Sequence, residues 1–241
     1  MKHAFVTGAD RGLGFDLTLE LLERGYTVFA GRYMPDWEAL DGVPEGRRDR
    51  LHVLELDVSD PASVEKAAAA VSGKTDSLDL IVNNAGISGD KEGSIFGDIS
   101  YEHLNRMYAV NAVGPLRIVQ ALSGLLLKGA DKLVVNISSE AGQINQAWRE
   151  GWYGYCMSKA ALNIQSNIVH NELKGHGGKV LVLHPGWMKS YMGGVLGTEG
   201  DLTTAEAAEQ IAGTIQRYLE DREERKHPDF RDYAGREMSW T

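Results

Sequence analysis

The sequence predicts an α/β fold in which helices cover both faces of a parallel sheet. Short apolar runs alternate with longer helical patterns along the chain, as in connected β-α units. The apolar runs are nearly continuous, which is typical of strands buried on both faces. Glycines follow the first run and open the first helical pattern, where the backbone must bend tightly. We therefore expect about seven strands in a doubly wound sheet.

The predicted elements follow in chain order. Strands are indicated by the apolar runs at 3–7, 26–30, 51–56, 78–83, 132–137 and 179–184. The first helix begins near Leu13 and is ended by Gly25, and Ser59 is expected to cap a helix that reaches Val71. Further helices are predicted at 101–127, with an interruption at Gly114-Pro115, and at 152–173 and 203–219. The aromatic segment 228–240 is expected to pack as a last edge strand.

Composition indicates one globular domain spanning residues 1–241, with 43% hydrophobic and 24% charged residues. The net charge of −9 argues against a nucleic-acid partner, because phosphate binding needs a basic face. No apolar run approaches the roughly 20 residues that span a bilayer, so no membrane partner is expected. A single cysteine, Cys156, excludes an intrachain disulfide, and the histidines lack metal-ligand spacing. A cytoplasmic protein without a metal is the simplest expectation.

The turn after the first strand is a candidate phosphate site. Gly8, Gly12 and Gly14 follow a strand and open a helix, which is the context that a dinucleotide pyrophosphate requires. The missing Cβ atoms let the backbone approach the phosphates, and the helix N-terminus supplies N–H donors. A glycine-rich stretch alone is also compatible with an ordinary tight turn.

A second motif lies far downstream. Tyr155 and Lys159 are four residues apart on a predicted helix, so both side chains share one face. A phenol beside an ammonium is suited to proton transfer, because the cation favours the phenolate. Nine tyrosines in the chain make a chance match plausible, and the position of the motif therefore matters.

Together these motifs resemble the short-chain dehydrogenase/reductase family. The glycine spacing after Thr7 is followed in family order by Asp57-Val58, Asn83-Asn84-Ala85-Gly86, Tyr155 to Lys159 and Pro185-Gly186. The resemblance covers nearly the whole chain and implies a Rossmann-like oxidoreductase. The segment between Ser139 and Tyr155, and the aromatic tail, are similar to the Sniffer-like carbonyl reductase branch, which includes the C-factor-like proteins.

The resemblance implies a nicotinamide cofactor. We expect it to be bound by Gly8, Asp10, Arg11, Gly12, Leu13, Gly14, Arg32, Asp57, Val58, Asn84, Ala85, Gly86, Tyr155, Lys159, Pro185, Gly186, Trp187, Met188 and Ser190. NAD enzymes commonly place a carboxylate after the second strand, whereas this chain has Gly31 and Arg32 there. Arg32 and Arg11 therefore favour NADP(H), since guanidiniums bind a 2′-phosphate. NAD(H) remains possible, because Asp36 lies nearby and either arginine is also compatible with a solvated position.

The same resemblance implies four catalytic residues: Asn111, Ser139, Tyr155 and Lys159. Tyr155 would donate a proton to a carbonyl oxygen, and Lys159 would lower the pKa of Tyr155 and hold the ribose. Ser139 would orient the carbonyl, and Asn111 would hold a water that links Lys159 to solvent. Ser138 is the alternative to Ser139, as a strand-end hydroxyl packed near the cofactor. Asn111 is alternatively a helix-interior residue beside the Gly114-Pro115 kink.

Substrate contacts are expected from the long loop 143–151 and from the region after the sixth strand. The candidates are Gln143, Trp148, Trp152, Tyr153, Trp187 and Met192. These aromatic side chains suggest an apolar carbonyl compound, although Trp152 and Trp187 are equally compatible with simple loop packing. Residues 189–201 contain four glycines and are expected to form a mobile lid.

The resulting hypothesis is an NADPH-dependent reductase of a ketone, aldehyde or quinone, or an enzyme of the reverse alcohol oxidation. A catalytically silent NADP-binding signalling or sensor protein is the alternative. Epimerisation or dehydration on the same site is a third option. Relatives are often dimers or tetramers through helices corresponding to 101–127 and 152–173, so a homo-oligomer is expected.

Overall fold

The structure is a computed structural model, and it describes residues 1–89, 93–145, 148–192, 196–221, 223 and 225–241. Its strands are β1 (His3–Val6), β2 (Thr27–Arg32), β3 (Leu51–Glu55), β4 (Leu80–Asn83), β5 (Leu133–Ile137), β6 (Lys179–His184), β7 (Met188–Lys189), β8 (Leu202–Thr203) and β9 (Asp229–Asp232). Its α-helices are α1 (Gly12–Glu23), α2 (Glu45–Arg48), α3 (Pro61–Ser72), α4 (Tyr101–Tyr108), α5 (Gly114–Leu126), α6 (Tyr153–Leu173) and α7 (Thr204–Glu220).

Seven strands of the described chain form one parallel sheet in the order β3-β2-β1-β4-β5-β6-β9. The predicted α/β class, with a doubly wound sheet of about seven strands, is confirmed. Strand order reverses between β1 and β4, and such a reversal opens a crevice at the carboxyl ends of the strands. The segments after β1, β4, β5 and β6 therefore converge on one side of the sheet.

Side chains that alternate along each strand supply two separate apolar layers. On β1, Ala4 and Val6 belong to the layer that contains Leu17 of α1 and Ile211 of α7. Phe5, between them, belongs to the layer packed against α3, α5 and α6. Both faces of the sheet are thus buried, as the continuous apolar strand runs predict.

Helix α3 begins one residue later than expected. Asp60, not Ser59, is its N-cap, and the Asp60 carboxylate accepts from the N–H groups of Ala62 and Ser63. The Ser59 hydroxyl instead donates to Asp57 Oδ1 at 2.6 Å. Ser59 is therefore engaged in the turn after β3 and is not available to cap the helix.

The helical stretch 101–126 is continuous, contrary to the expected interruption at Gly114-Pro115. Between α4 and α5 it passes through a π-helical segment, Ala109–Val113. Pro115, in the first turn of α5, has no N–H to bond back to the preceding turn, and the irregular π-helical segment lies directly before it. A Cβ on Gly114 would lie 2.9 Å from Val58 Cγ2, so glycine permits close packing against the segment after β3.

By length and composition alone, the stretch Tyr101–Leu126 would suffice to cross a membrane, with a mean hydropathy of 1.3 over its most apolar window. Of that window, 44% is buried inside the protein. Ile118, Leu122 and Leu126 pack in the core layer that contains Phe5. The stretch thus has the packing of a core helix.

Two predicted loop features lie partly outside the described residues. The substrate loop 143–151 includes 146–147, and the lid 189–201 includes 193–195. At the two ends of the lid, β7 pairs with β8 in a small parallel ladder that the sequence did not predict.

Candidate active site

The turn after β1 is shaped so that glycine is required. Gly8 has φ +61° and Gly12 has φ +55°, both in the left-handed region that side chains disfavour. A Cβ on Gly14 would lie 2.0 Å from the carbonyl oxygen of Gly8 and 2.4 Å from Asn84 Nδ2. The first turn of α1 therefore packs directly on the backbone of the loop that precedes it.

Hydrogen bonds join this turn to the end of β4 across the reversal in strand order. Thr7 Oγ1 accepts from the backbone N–H groups of Asn84 and Ala85, at 3.0 and 2.9 Å. Asn84 Nδ2 donates to the carbonyl oxygens of Thr7 and Gly8, each at 3.0 Å. The Asn84-Ala85-Gly86 segment therefore fixes the shape of the glycine turn.

A cavity of about 820 Å³ opens above this turn. Of the expected cofactor residues, the structure brings the following to its wall: Gly8, Asp10, Arg11, Gly12, Leu13, Gly14, Asp57, Val58, Asn84, Ala85, Gly86, Tyr155, Lys159, Pro185, Met188 and Ser190. A volume of this size suits an organic ligand of cofactor dimensions. The wall joins the glycine turn and the Tyr155-Lys159 motif in one space.

Three expected cofactor residues do not line this cavity. The Arg32 guanidinium pairs with Asp41 at 2.7 Å, on the 3₁₀ turn that follows β2. Gly186 has φ +82° and packs against the Tyr233 ring, where a Cβ would lie 2.9 Å from two ring carbons. Trp187 is 60% exposed. Of the two expected cations, the cavity wall includes Arg11, whose guanidinium carbon lies 5.0 Å from the centroid of Trp37.

Helix α6 directs Tyr155 and Lys159 into this cavity, one helical turn apart. Lys159 is 2% exposed, and its Nζ donates to the carbonyl oxygen of Ile137 at 2.8 Å. The same Nζ lies 5.7 Å from the centroid of the Tyr155 ring. Burial lowers the pKa of Lys159 to about 8, because removal from water disfavours the ammonium.

Tyr155 is half-buried at the wall of the cavity. Burial raises the pKa of its phenol to about 12, opposed by the Ser139 hydroxyl and the nearby Arg149. The Glu140 carboxylate acts in the same direction as burial. The Trp152 ring meets the Tyr155 ring edge-on, with 6.0 Å between centroids. The expected lowering of the Tyr155 pKa is therefore wrong for this state, and the phenol is protonated at neutral pH.

Asn111 is fully buried on the π-helical segment. Its amide exchanges two hydrogen bonds with the backbone of Ile87, both at 2.8 Å, and donates to Ser158 Oγ at 3.0 Å. A Cβ on Gly86 would lie 3.4 Å from Asn111 Oδ1 and 3.7 Å from Lys159 Nζ. Asn111 and Lys159 therefore lie close together, with the backbone of Gly86 beside both.

The two serines after β5 have different partners. Ser138 Oγ donates to Asn163 Oδ1 at 2.6 Å inside the protein. Ser139 Oγ donates to Glu140 Oε2 at 2.6 Å and lowers the pKa of the Tyr155 phenol. Ser138 lines the cavity above the glycine turn, and Ser139 is the serine that acts on the phenol.

The expected substrate residues are divided. Met192 lines the cavity above the glycine turn, while Gln143, Trp152 and Tyr153 line a second cavity of about 750 Å³. Trp148 is 74% exposed, and neither it nor Trp187 lines a cavity described here. Gln143 Nε2 donates to the carbonyl oxygen of Ser239, so this side chain also anchors the C-terminal tail.

Several residues at the site carry no local sequence signal. Tyr33, Met34 and Tyr191 also line the first cavity, and the rings of Trp37 and Tyr191 meet edge-on with 5.0 Å between centroids. Glu140, which follows Ser139, pairs with Arg149 and lies 3.2 Å from His184 Nδ1. In the part of the chain that the structure describes, no group of three or more His, Cys, Asp or Glu side chains is placed to hold a metal ion.

A cavity lined by both a glycine-rich turn and a Tyr-Lys pair is typical of a class of oxidoreductases. Comparison with known proteins identifies the family. The family model for short chain dehydrogenases matches residues 2–201. That match covers most of the chain. This protein therefore belongs to the short-chain dehydrogenase/reductase family, as the sequence motifs predict.

Individual relatives agree with the predicted branch. The C-signal protein of Myxococcus xanthus is 33% identical over 173 residues, covering 72% of this chain and 99% of that protein. The carbonyl reductase Sniffer of D. melanogaster has a TM-score of 0.87 and 27% identity, with 100% of both chains covered. An NADPH-bound carbonyl reductase from chicken fatty liver has a TM-score of 0.85 and 30% identity, covering 100% of this chain and 99% of that one. Some other curated relatives are longer, and the match spans as little as 50% of their length.

Proposed function

We propose that this protein is an NADPH-dependent reductase of a ketone, aldehyde or quinone, and that it also runs the reverse alcohol oxidation. The observation that carries the proposal is the convergence of Tyr155 and Lys159 on the cavity above the glycine turn. A redox cofactor and a proton donor are the two components that carbonyl reduction needs. Both candidate sites line the same cavity.

The residues of the glycine turn fit a dinucleotide. Gly8, Gly12 and Gly14 line the cavity beside the N-terminus of α1, whose N–H groups are suited to a pyrophosphate. NADP(H) is favoured over NAD(H) because Arg11 lines the cavity and because the chicken carbonyl reductase binds NADPH. When bound, this cofactor supplies the hydride for the carbonyl carbon.

The remaining chemistry belongs to residues of this chain. Tyr155 donates its phenolic proton to the carbonyl oxygen of the substrate. Lys159 and its positive charge stabilise the phenolate that is left, and a bound cofactor cation would act in the same direction. Asn111, fixed on Ile87 near Lys159 and Gly86, is placed to hold a water for proton return.

The proposal is tested by a screen of ketones, quinones and aldehydes with NADPH and NADH, followed at the nicotinamide absorbance. Turnover with NADPH, at higher kcat/KM than with NADH, is the expected result. Tyr155→Phe is expected to abolish turnover and to leave NADPH binding within about two-fold, because only the phenolic hydroxyl is lost. Unchanged turnover in Tyr155→Phe would contradict the mechanism.

A second candidate function is a catalytically silent NADP-binding signalling protein. It is favoured by the similarity to the C-signal protein of Myxococcus xanthus. Against it stands the presence of all four expected catalytic residues, Asn111, Ser139, Tyr155 and Lys159, with Tyr155 and Lys159 on the wall of one cavity. NADPH binding without turnover of any compound in the screen would favour this candidate. Product analysis with labelled cofactor separates reduction from epimerisation or dehydration.

The assembly state and location are part of the same proposal. Leu116 of α5 and Ile164 and Ile168 of α6 are 45%, 61% and 54% exposed. An apolar surface on these helices suits association with a second copy, which agrees with the expected homo-oligomer. A single domain over 1–241, acting in the cytoplasm on a small molecule, completes the proposal.

A further inference from the structure

The Arg11 guanidinium lies on the wall of the cavity above the glycine turn. Arg11 is the N-cap residue of α1, but its side chain makes no capping hydrogen bond. Among the described residues, Arg11 forms no ion pair, whereas Arg32 is paired with Asp41. A guanidinium has several N–H donors and no acceptor, so this side chain is suited to bind an anion in the cavity.

The Trp37 indole lies against this guanidinium. The Arg11 guanidinium carbon is over the Trp37 ring, 5.0 Å from the ring centroid. Attraction between a cation and an aromatic face restrains a long side chain that otherwise samples many rotamers. The N–H groups of a guanidinium point outward in its plane, so contact with a ring face leaves them able to bind a phosphate. Trp37 therefore holds Arg11 in place without taking its donors.

Trp37 is fixed by contacts of its own. Its backbone N–H donates to the carbonyl oxygen of Met34 at 3.1 Å, within the loop after β2. Its ring meets the Tyr191 ring edge-on, with 5.0 Å between centroids. Trp37 is half-buried and is not part of the cavity wall, whereas Arg11 and Tyr191 are. Trp37 is therefore placed to act on a ligand through Arg11 rather than by touching it.

The cavity wall also includes the side chains of Lys159 and Arg106. Lys159 is buried next to Tyr155, and its Nζ donates to the carbonyl oxygen of Ile137 at 2.8 Å. Arg106, on α4, is exposed, and a solvated side chain loses more conformational freedom when it binds a ligand. Arg11 is therefore the cation on this wall that is best prepared to bind a phosphate.

We propose that Trp37 is a positioning residue for cofactor selection: its indole holds the Arg11 guanidinium on the cavity wall, with the N–H groups ready to bind the 2′-phosphate of NADP(H). The 2′-hydroxyl of NAD(H) offers this guanidinium no matching anion. Trp37 thus favours NADP(H) through Arg11, without contact to the cofactor. The inference rests on the proposed function, because it concerns the NADP(H) preference of that enzyme.

Trp37→Leu tests the proposal, because leucine keeps an apolar side chain but has no aromatic face. Dissociation constants for NADP⁺ and NAD⁺ are measured by isothermal titration calorimetry, without a carbonyl substrate. Trp37→Leu is expected to weaken NADP⁺ binding about three- to five-fold, as for loss of an exposed cation–π contact, and to leave NAD⁺ binding within about 1.5-fold. No loss, or an equal loss for both dinucleotides, overturns the proposal.

A double-mutant cycle tests whether Trp37 acts through Arg11. In an Arg11→Ala background, Trp37→Leu is expected to cause no further loss of NADP⁺ binding, because the guanidinium that Trp37 holds is gone. The same loss in both backgrounds would mean that Trp37 contacts the cofactor directly, and would overturn the positioning role. Trp37→Phe keeps an aromatic face and is expected to retain most of the NADP⁺ affinity. A loss as large as in Trp37→Leu would count against the cation–π contact.

Two further variants serve as controls. Arg106→Ala removes a cation from the same wall and is expected to weaken NADP⁺ binding less than Arg11→Ala does. The reverse order would place the phosphate elsewhere and overturn the proposal. Trp148→Leu removes the indole that lies under Arg149, at 4.5 Å, away from this cavity, and no change is expected. An effect equal to that of Trp37→Leu would also overturn it. If circular dichroism shows that Trp37→Leu does not fold, Trp37→Gln replaces it with the same expected result.

Failure of this inference is distinguishable from failure of the proposed function, because binding is measured separately from turnover. If the dissociation constants change as expected but no carbonyl compound is reduced, Trp37 still selects NADP(H) and only the reaction is wrong. If the protein is an active reductase and Trp37→Leu leaves the NADP⁺ to NAD⁺ ratio unchanged, the positioning role alone is wrong. Failure to bind either dinucleotide would overturn both.

Discussion

The glycine turn (residues 8–14) and the face of α6 that carries Tyr155 and Lys159 lie on the same cavity but are constructed differently. The glycine turn depends on backbone geometry: left-handed φ angles and a first turn of α1 with no room for a Cβ. The α6 face depends on buried ionisable side chains, whose pKa values are shifted to about 12 and about 8. The first region is therefore sensitive to added atoms, and the second is sensitive to charge and pH.

The largest effect is expected from Gly14→Ala. The new Cβ would lie 2.0 Å from the carbonyl oxygen of Gly8, so the turn must move. We expect loss of NADPH binding by about 100-fold or more and destabilisation by about 3 kcal/mol, as in overpacked cores. Cofactor fluorescence titration and thermal unfolding measure the two effects.

Gly124→Ala is the control for that experiment. Gly124 lies on α5, is exposed, and has open space where a Cβ would stand. Because alanine is the better helix former, the variant is expected to be more stable by roughly 0.5–1 kcal/mol and to bind NADPH normally. If Gly14→Ala behaved like Gly124→Ala, the description of the glycine turn as backbone-limited would fail.

Lys159→Met tests the charge sensitivity of the α6 face. The folded-state pKa of Lys159, about 8, lies below its ordinary value of 10.5, so between these values the unfolded chain binds more protons than the folded one. The wild-type free energy of unfolding should therefore gain up to about 1.4 kcal/mol per pH unit from this group as pH rises from 8 to 10.5. This contribution should be absent in Lys159→Met, as read from denaturant unfolding at several pH values. An identical pH slope in both proteins would show that Lys159 is not held in a low-pKa environment.

The smallest effects are expected from substitutions of the two arginines near the glycine turn. Arg11→Ala is expected to raise the KM for NADPH about ten-fold and to leave that for NADH nearly unchanged, because its guanidinium lines the cavity. Arg32→Ala is expected to change either KM by less than about two-fold, since Arg32 pairs with Asp41 outside the cavity wall. Steady-state kinetics of both variants with NADPH and with NADH measures these KM changes. The reverse order of effects would mean that Arg32 leaves Asp41 when the cofactor binds.

The sheet and its major helices could be predicted from sequence, because apolar runs and glycine or proline positions are local signals. Details that depend on partners distant in sequence could not. The π-helical segment lies directly before Gly114, which packs closely against Val58 in the segment between β3 and α3. Ser59 looked like a helix cap, but Asp57 takes its hydroxyl hydrogen.

The site shows the same division. The spacing of Tyr155 and Lys159 placed both on one helix face, and their position after the other motifs was needed to nominate them. Spacing could not reveal that Arg32 pairs with Asp41, or that Glu140, Arg149 and His184 form one cluster. These side chains come from segments that only the folded sheet brings together, so single-sequence patterns contain no signal for them.

The C-terminal tail has a practical consequence for anyone handling this protein. The Trp240 ring packs at a tilt against Phe230 of β9, with 5.3 Å between ring centroids, and the carbonyl of Ser239 accepts from Gln143, three residues after Glu140. A purification tag or fusion partner attached after Thr241 would disturb the docking of this tail and, through Gln143, the segment that carries Ser139. Placing it before Met1, which is 88% exposed and remote from that segment, leaves the tail free to dock.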